Sequence, residues 1–254
     1  MANGREGYPD FSVQVALGLV PGFRLLRKFG DNDTVAANTR VDIWPGAANQ
    51  RVLPAAAGTL SVVSTSTDDD GAPAGTGAQT VRFEGLDANY VEIHEDITMN
   101  GTTPVVSSLS FLRVNRGYVI LAGTGEGNAG DITATIGADV QAFIEATEGQ
   151  THQAMYTVPA DTSLIVTDYE MSVGRMATAS DIHITGEIML YGHNAWRVVE
   201  NTYMTSGQNY DTHHPVVVIP AKAETRMTVY SGFATQVSGM YGGYLISNNM
   251  ISAM

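Results

Sequence analysis

Along most of the chain, apolar and polar residues alternate with a period of two, and Gly, Pro, Asn and Asp punctuate the runs. Thr80-Val81-Arg82-Phe83-Glu84 is the clearest case, and Tyr90-Val91-Glu92-Ile93-His94 resumes the pattern after the turn residues Leu86-Asp87-Ala88-Asn89. Successive side chains of an extended strand point to opposite faces, so this period predicts half-buried strands. Leu60, Val62 and Val63 mark a short strand before these, and Ser110 to Leu121 a long one after them. Asn100-Gly101 reads as a hairpin turn, because both residue types tolerate positive φ. Further strands are expected at 131–136, 140–144, 153–158, 163–173, 181–190, 196–203, 216–219, 224–231 and 236–246. A 3.6-residue apolar period is nowhere sustained, which argues against a helical or doubly wound fold. The expected fold class is all-β, an antiparallel β-sandwich or jelly roll.

The first 57 residues depart from this pattern. They carry Pro9, Pro21, Pro45 and Pro54, several glycines, and a basic cluster of Arg24, Arg27 and Lys28. Arg24 to Phe29 suits a single helical turn stopped by Gly30, and an apolar run ends in Val41-Asp42-Ile43-Trp44-Pro45. One reading is an irregular N-terminal arm over 1–57 that anchors the protein through Arg24, Arg27, Lys28, Phe29, Ile43 and Trp44. The other is an ordered extension packed on its own domain. On the first, deleting residues 1–45 leaves a folded protein that no longer docks. The β region then spans 58–254, as one continuous domain or as two stacked subdomains, about 58–147 and 148–254. Residues 248–254 read as a strand end or a docking tail.

Composition narrows the partners. The chain has 254 residues, of which 44% are hydrophobic and only 15% charged, with Lys28 and Lys222 its only lysines. A net charge of −13 argues against nucleic acid, whose phosphates require clustered Lys and Arg, and disfavours anionic membranes. With no cysteine, disulfides and thiolate metal sites are excluded. The apolar stretch Phe11 to Val20 has no basic region before it and is too short to cross a bilayer, so the chain reads as made in the cytoplasm without an export signal.

Motifs that would carry chemistry fail on their context. Gly125-Glu126-Gly127-Asn128-Ala129-Gly130 matches G-x-G-x-x-G, but the β-branched, alternating Asp131 to Ile136 stands where a nucleotide site needs a helix. It reads as a flexible hairpin loop. Asp68-Asp69-Asp70-Gly71 lacks the spacing of an EF-hand and reads as a solvated turn. His213 and His214 would point to opposite faces of a strand, and nothing relates His183 to His193, so no metal is expected. Glu92, Glu95 and Asp96 read as the wet face of a strand rather than as glycosidase carboxylates. No cofactor and no enzyme activity is expected. Tyr203, Met204, Tyr210, Met227, Tyr230, Phe233, Met240, Tyr241 and Tyr244 crowd the last part of the chain, a composition suited to subunit contacts.

A resemblance rests on several of these segments in order. They are Lys28-Phe29-Gly30, Val41-Asp42-Ile43-Trp44, Thr67-Asp68-Asp69-Asp70-Gly71, Gly75 to Val81, and Glu84-Gly85-Leu86-Asp87-Ala88-Asn89-Tyr90. Asn100 to Val105, Phe111 to Arg116, Ala122 to Gly130 and Met155 to Ala160 follow. Over roughly residues 25–175 the chain resembles virion structural proteins of tailed bacteriophages. The resemblance implies a β-sandwich subunit of a phage particle, a homotrimer, whose arm binds the major capsid protein or another virion protein; it carries over no catalytic residue. Three roles compete: a capsid decoration or cement protein, a neck, tail or fibre component, and a carbohydrate-binding or hydrolytic module on a jelly roll.

Overall fold

The computed structural model describes residues 10–46, 50–174, 181–205, 207–212 and 216–251. Apart from two short helices, α1 (Phe11–Ala16) and α2 (Asn248–Ile251), its regular structure is antiparallel sheet. The all-β sandwich expected from the alternation is what forms, and it forms twice.

The first sandwich packs two sheets around one core. β3 (Gly58–Ser64), β6 (Val105–Phe111), β8 (Ile132–Ile136) and β9 (Asp139–Ile144) make one sheet, in the order β6-β3-β8-β9. β4 (Ala78–Leu86), β5 (Glu92–Thr98) and β7 (Arg113–Ala122) make the other, in the order β5-β4-β7. Leu60, Val62, Val81, Phe83, Phe111, Val114, Ile132 and Ile144 fill the space between them. These are the inward positions of the alternating runs, so the period-two pattern and the core coincide.

The second sandwich is built from both ends of the chain. One sheet runs β1 (Phe23–Val35), β17 (Thr235–Ser247), β11 (Thr162–Val173) and β14 (Asn209–Thr212), with β15 (Val217–Ile219) also on β11. The facing sheet runs β10 (Met155–Thr157), β16 (Glu224–Ser231), β12 (Asp181–Met189) and β13 (Arg197–Thr205), with β2 (Thr39–Asp42) on β16. Its core includes Val41, Ile43, Leu164, Tyr169, Ile184, Met227, Val229 and Tyr241. The first sandwich is thus an insertion between β2 and β10 of the second.

This corrects the reading of residues 1–57 as an irregular arm. Residues 23–35 form a strand paired with β17 from Phe23↔Ile246 to Val35↔Thr235, and residues 39–42 pair with β16. The helical turn expected at Arg24 to Phe29 is absent. Gly30 is not a helix stop but a crossing point: a Cβ there would lie 2.2 Å from the Ile43 carbonyl oxygen and 2.4 Å from the Ala154 nitrogen. That pair is where the chain leaves and re-enters the second sandwich, since the Ala154 N–H donates to the Ile43 carbonyl at 3.1 Å.

Two loops also differ from expectation. Asn100-Gly101 does turn, with Gly101 at φ 55°, but it carries the chain from one sheet to the other rather than closing a hairpin. The glycine-rich loop at 125–130 likewise crosses between sheets, from β7 to β8. It is clamped by Asp69, which is fully buried rather than solvated. One oxygen of that carboxylate accepts from the Ala78 and Ala129 N–H groups, each at 2.7 Å. The other accepts from the Gly130 N–H at 2.9 Å and the Ser64 hydroxyl at 2.5 Å. Gly77 is required here, because a Cβ would lie 2.1 Å from the Asp69 oxygen. At the C-terminus, residues 248–251 form α2.

Candidate functional site: the junction between the sandwiches

The six residues expected to anchor an arm divide between core and surface. Ile43 and Trp44 are fully buried, Ile43 in the second core and Trp44 beneath Gly46, where its ring leaves no room for a Cβ. Neither is available for docking, which corrects that expectation; an apolar run next to a proline reads equally well as core. Phe29 is part-exposed and its ring lies 5.2 Å from that of His152. Arg24, Arg27 and Lys28 remain together, but on the wall of a cleft.

The junction beneath them is polar and buried. Arg113 on β7 donates to Glu224 on β16 at 2.6 Å and to the Pro54 and Leu112 carbonyls at 2.7 and 2.8 Å. The Thr157 hydroxyl donates to the other Glu224 oxygen. Asn115 and Thr157 exchange two hydrogen bonds at 2.9 and 3.0 Å, a backbone-like pairing of β7 with β10. Arg51 donates its N–H to Asp42 at 2.7 Å and its guanidinium to the Val114 carbonyl at 2.8 Å. Arg226 joins Asp42 at 3.1 Å and Glu187 at 2.9 Å, and its guanidinium stacks 4.0 Å from the Trp196 ring centre. Buried ions persist only when paired and hydrogen-bonded. Burial pushes the Asp42 carboxyl up and the Arg51 guanidinium down from their ordinary values. At the edge of the junction, His152 lies 2.7 Å from Asp31, and that hydrogen bond raises its pKa.

Above this floor lies a cleft of about 460 Å³. Residues 24–28 of β1 form one wall, and Glu84, Gly85, Glu92, Ile93, His94, Asn115 and Arg116 of the first sandwich form the other. Arg24 spans the mouth with a two-pronged pair to Glu92, at 2.9 and 3.0 Å. Lys28 sits at the bottom, 7% exposed, and donates to the Asn115 carbonyl at 2.6 Å. Burial, reinforced by the charges of Arg51 and Arg116, lowers its pKa to about 7. Period-two reading could not have found this group, since an inward lysine looks like an outward one displaced by a residue.

Other expectations from the sequence have definite outcomes. Glu92, Glu95 and Asp96 are each engaged: with Arg24, with the Ser108 and Leu109 N–H groups, and with Arg82. His183 stacks on Tyr203 at 4.5 Å between ring centres and shares hydrogen bonds with Arg40 and Asn201. His213 and His214 lie outside the described residues. Among the described residues no helix is long and apolar enough to cross a membrane.

No family model matches the chain, and no curated protein matches it. Among solved structures, it is similar to a chain in the structure of infectious bursal disease virus Gt strain, with 11% identity and a TM-score of 0.24, over 94% of this chain and 79% of that one. A chain in the structure of infectious bursal disease virus Gx strain matches at 12% identity and a TM-score of 0.16, over 91% and 82%. Likeness this slight carries no argument about function.

Proposed function

We propose that the chain is a non-enzymatic structural subunit of a tailed-phage virion, a capsid decoration protein that forms homotrimers on the major capsid protein. The observation that carries the assembling role is an apolar row across the outer face of the β1-β17-β11 sheet. Strand register places Leu25 beside Tyr244, Tyr244 beside Ile165, and Ile165 beside Val218. Leu25 is 46% exposed and Val218 58%, at opposite ends of the row. Phe11 of α1 extends it, with its ring 5.2 Å from Tyr244 and 5.5 Å from Phe23. Contiguous apolar surface of this kind marks contact faces, and burying each half-exposed side chain contributes about 1 kcal/mol. The occupant favoured here is a second copy of the chain, since a row repeated on every copy multiplies a small contact by symmetry. The virion setting rests on the sequence resemblance over residues 25–175.

Light scattering of the purified protein tests the assembly. A trimer is expected, and L25D combined with V218D is expected to give folded monomer with an unchanged far-UV spectrum. A wild-type monomer at all concentrations overturns the trimer. Gel densitometry of purified particles tests position: on the order of hundreds of copies fits a shell protein, whereas about a dozen or fewer places it at the neck or tail.

A further inference from the structure

We infer that the cleft between the sandwiches is an anion site that takes carboxylates, with the Lys28 ammonium as its innermost donor. The chain is strongly acidic overall, at −13, yet four of its thirteen basic residues line this one cleft. Arg24 is balanced by Glu92. Arg27 is exposed and makes no hydrogen bond or ion pair among the described residues. Arg116 donates to a neutral partner, the Gln150 side chain, at 2.9 Å. Glu84 stands against them, and it already accepts from the Tyr118 hydroxyl at 2.8 Å. His94 is exposed on the same wall and adds charge only when protonated.

Lys28 makes the need for an anion specific. A charged amine has three N–H donors, and among the described residues the only hydrogen bond Lys28 makes is to the Asn115 carbonyl, at 2.6 Å. The group is therefore more than nine-tenths buried with unspent donors, in a positive local field and beside open volume. An incoming carboxylate would accept those donors and neutralise the field, while Arg116 on the facing wall offers charge-assisted hydrogen bonds nearer the mouth. The cleft volume suits a small organic polyacid or a short acidic peptide segment. Both sources share the same recognising chemistry.

With two lysines in the chain, lysine labelled with ¹³C at Cε yields two NMR signals, and K222R assigns them. Citrate and a tri-glutamate peptide are the probes, each titrated at constant ionic strength with sodium chloride as the control. Saturable binding is expected, and it raises the Lys28 pKa by about one unit or more, because an opposite charge favours the protonated amine. R116A, whose fold the same spectrum monitors, is expected to weaken binding roughly fivefold. A response to citrate alone assigns the site to free polyacids, and tighter binding of the peptide assigns it to protein side chains. If neither probe saturates, or sodium chloride alone reproduces the shift, the site does not exist.

Discussion

Lys28 and Asp69 are both buried polar groups, but they load the fold in opposite ways. Asp69 has an N–H or O–H donor for each of four acceptor positions, so it is an organiser. D69A leaves three backbone N–H groups and a hydroxyl without their acceptor, and is expected to cost about 3–5 kcal/mol. D70A, which removes one contact to the Ala72 N–H in a more open position, is expected to cost about 1 kcal/mol or less. Urea midpoints of the two variants decide this, and equal midpoints would refute the clamp. Lys28 instead carries a desolvation cost, and its sign with pH can be worked out. Below pH 7 it is charged in both folded and unfolded chains, and the folded state bears the whole cost. Between pH 7 and 10.5 the unfolded chain holds a proton that the folded chain has released, so stability relative to K28M rises with pH. The slope approaches about 1.4 kcal/mol per pH unit. Above that range, burial keeps Tyr156, Tyr169 and Tyr241 neutral in the fold while the unfolded chain ionises, and stability falls again. Those tyrosines are common to both proteins, so the difference between wild type and K28M at pH 6, 7.5 and 9 isolates the lysine. Parallel curves would mean that Lys28 stays charged in the fold.

At the scale of elements, strands were legible wherever inward positions were apolar. β8, β9, β11, β12, β16 and β17 lie within two residues of their expected bounds, because Ile, Val, Met and Tyr occupy one face and polar residues the other. β1 was illegible for the opposite reason. Its inward side carries Lys28, Gly30 and Asn32, all buried, while its outward side carries Leu25, Arg27 and Phe29, all exposed. The pattern is inverted, and the partner that stabilises it, β17, lies some two hundred residues away in sequence. Nothing local signals such a pairing. The cleft was half legible: the basic cluster of Arg24, Arg27 and Lys28 was visible, but the opposing wall of Glu84, Glu92 and Arg116 comes together only through the fold. The integrated β1 reverses the expected outcome of truncation. Deleting residues 1–45 removes β1 and β2, one strand from each sheet of the second sandwich. That variant is expected to be unfolded or insoluble. Deleting residues 1–20, which spares both strands, is expected to leave the circular dichroism spectrum and a cooperative melt intact. A folded 46–254 fragment would show that β1 is an accessory to the sheet.

At the scale of the molecule, two sandwiches with separate hydrophobic cores are joined by a polar seam rather than by a third core. Two chain connections also tie them, through residues 43–57 and 145–154. Separate cores alone would permit separate unfolding. The seam opposes that, because opening it would strip Glu224 of Arg113, and Asn115 of its two bonds to Thr157. Partners that desolvate together are strongly non-additive: removing one leaves a buried charge unpaired, while removing both leaves none. E224A is therefore expected to destabilise the protein by about 3–5 kcal/mol, and R113M with E224M by clearly less. The wild type is expected to melt in one calorimetric transition whose van't Hoff and calorimetric enthalpies agree. In E224A the transition is expected to split in two, as each sandwich falls back on its own core. Two transitions in the wild type would show that the seam aligns the sandwiches without coupling them. The cleft would then open and close with their relative motion, and binding of an anion there would itself bring the two transitions together.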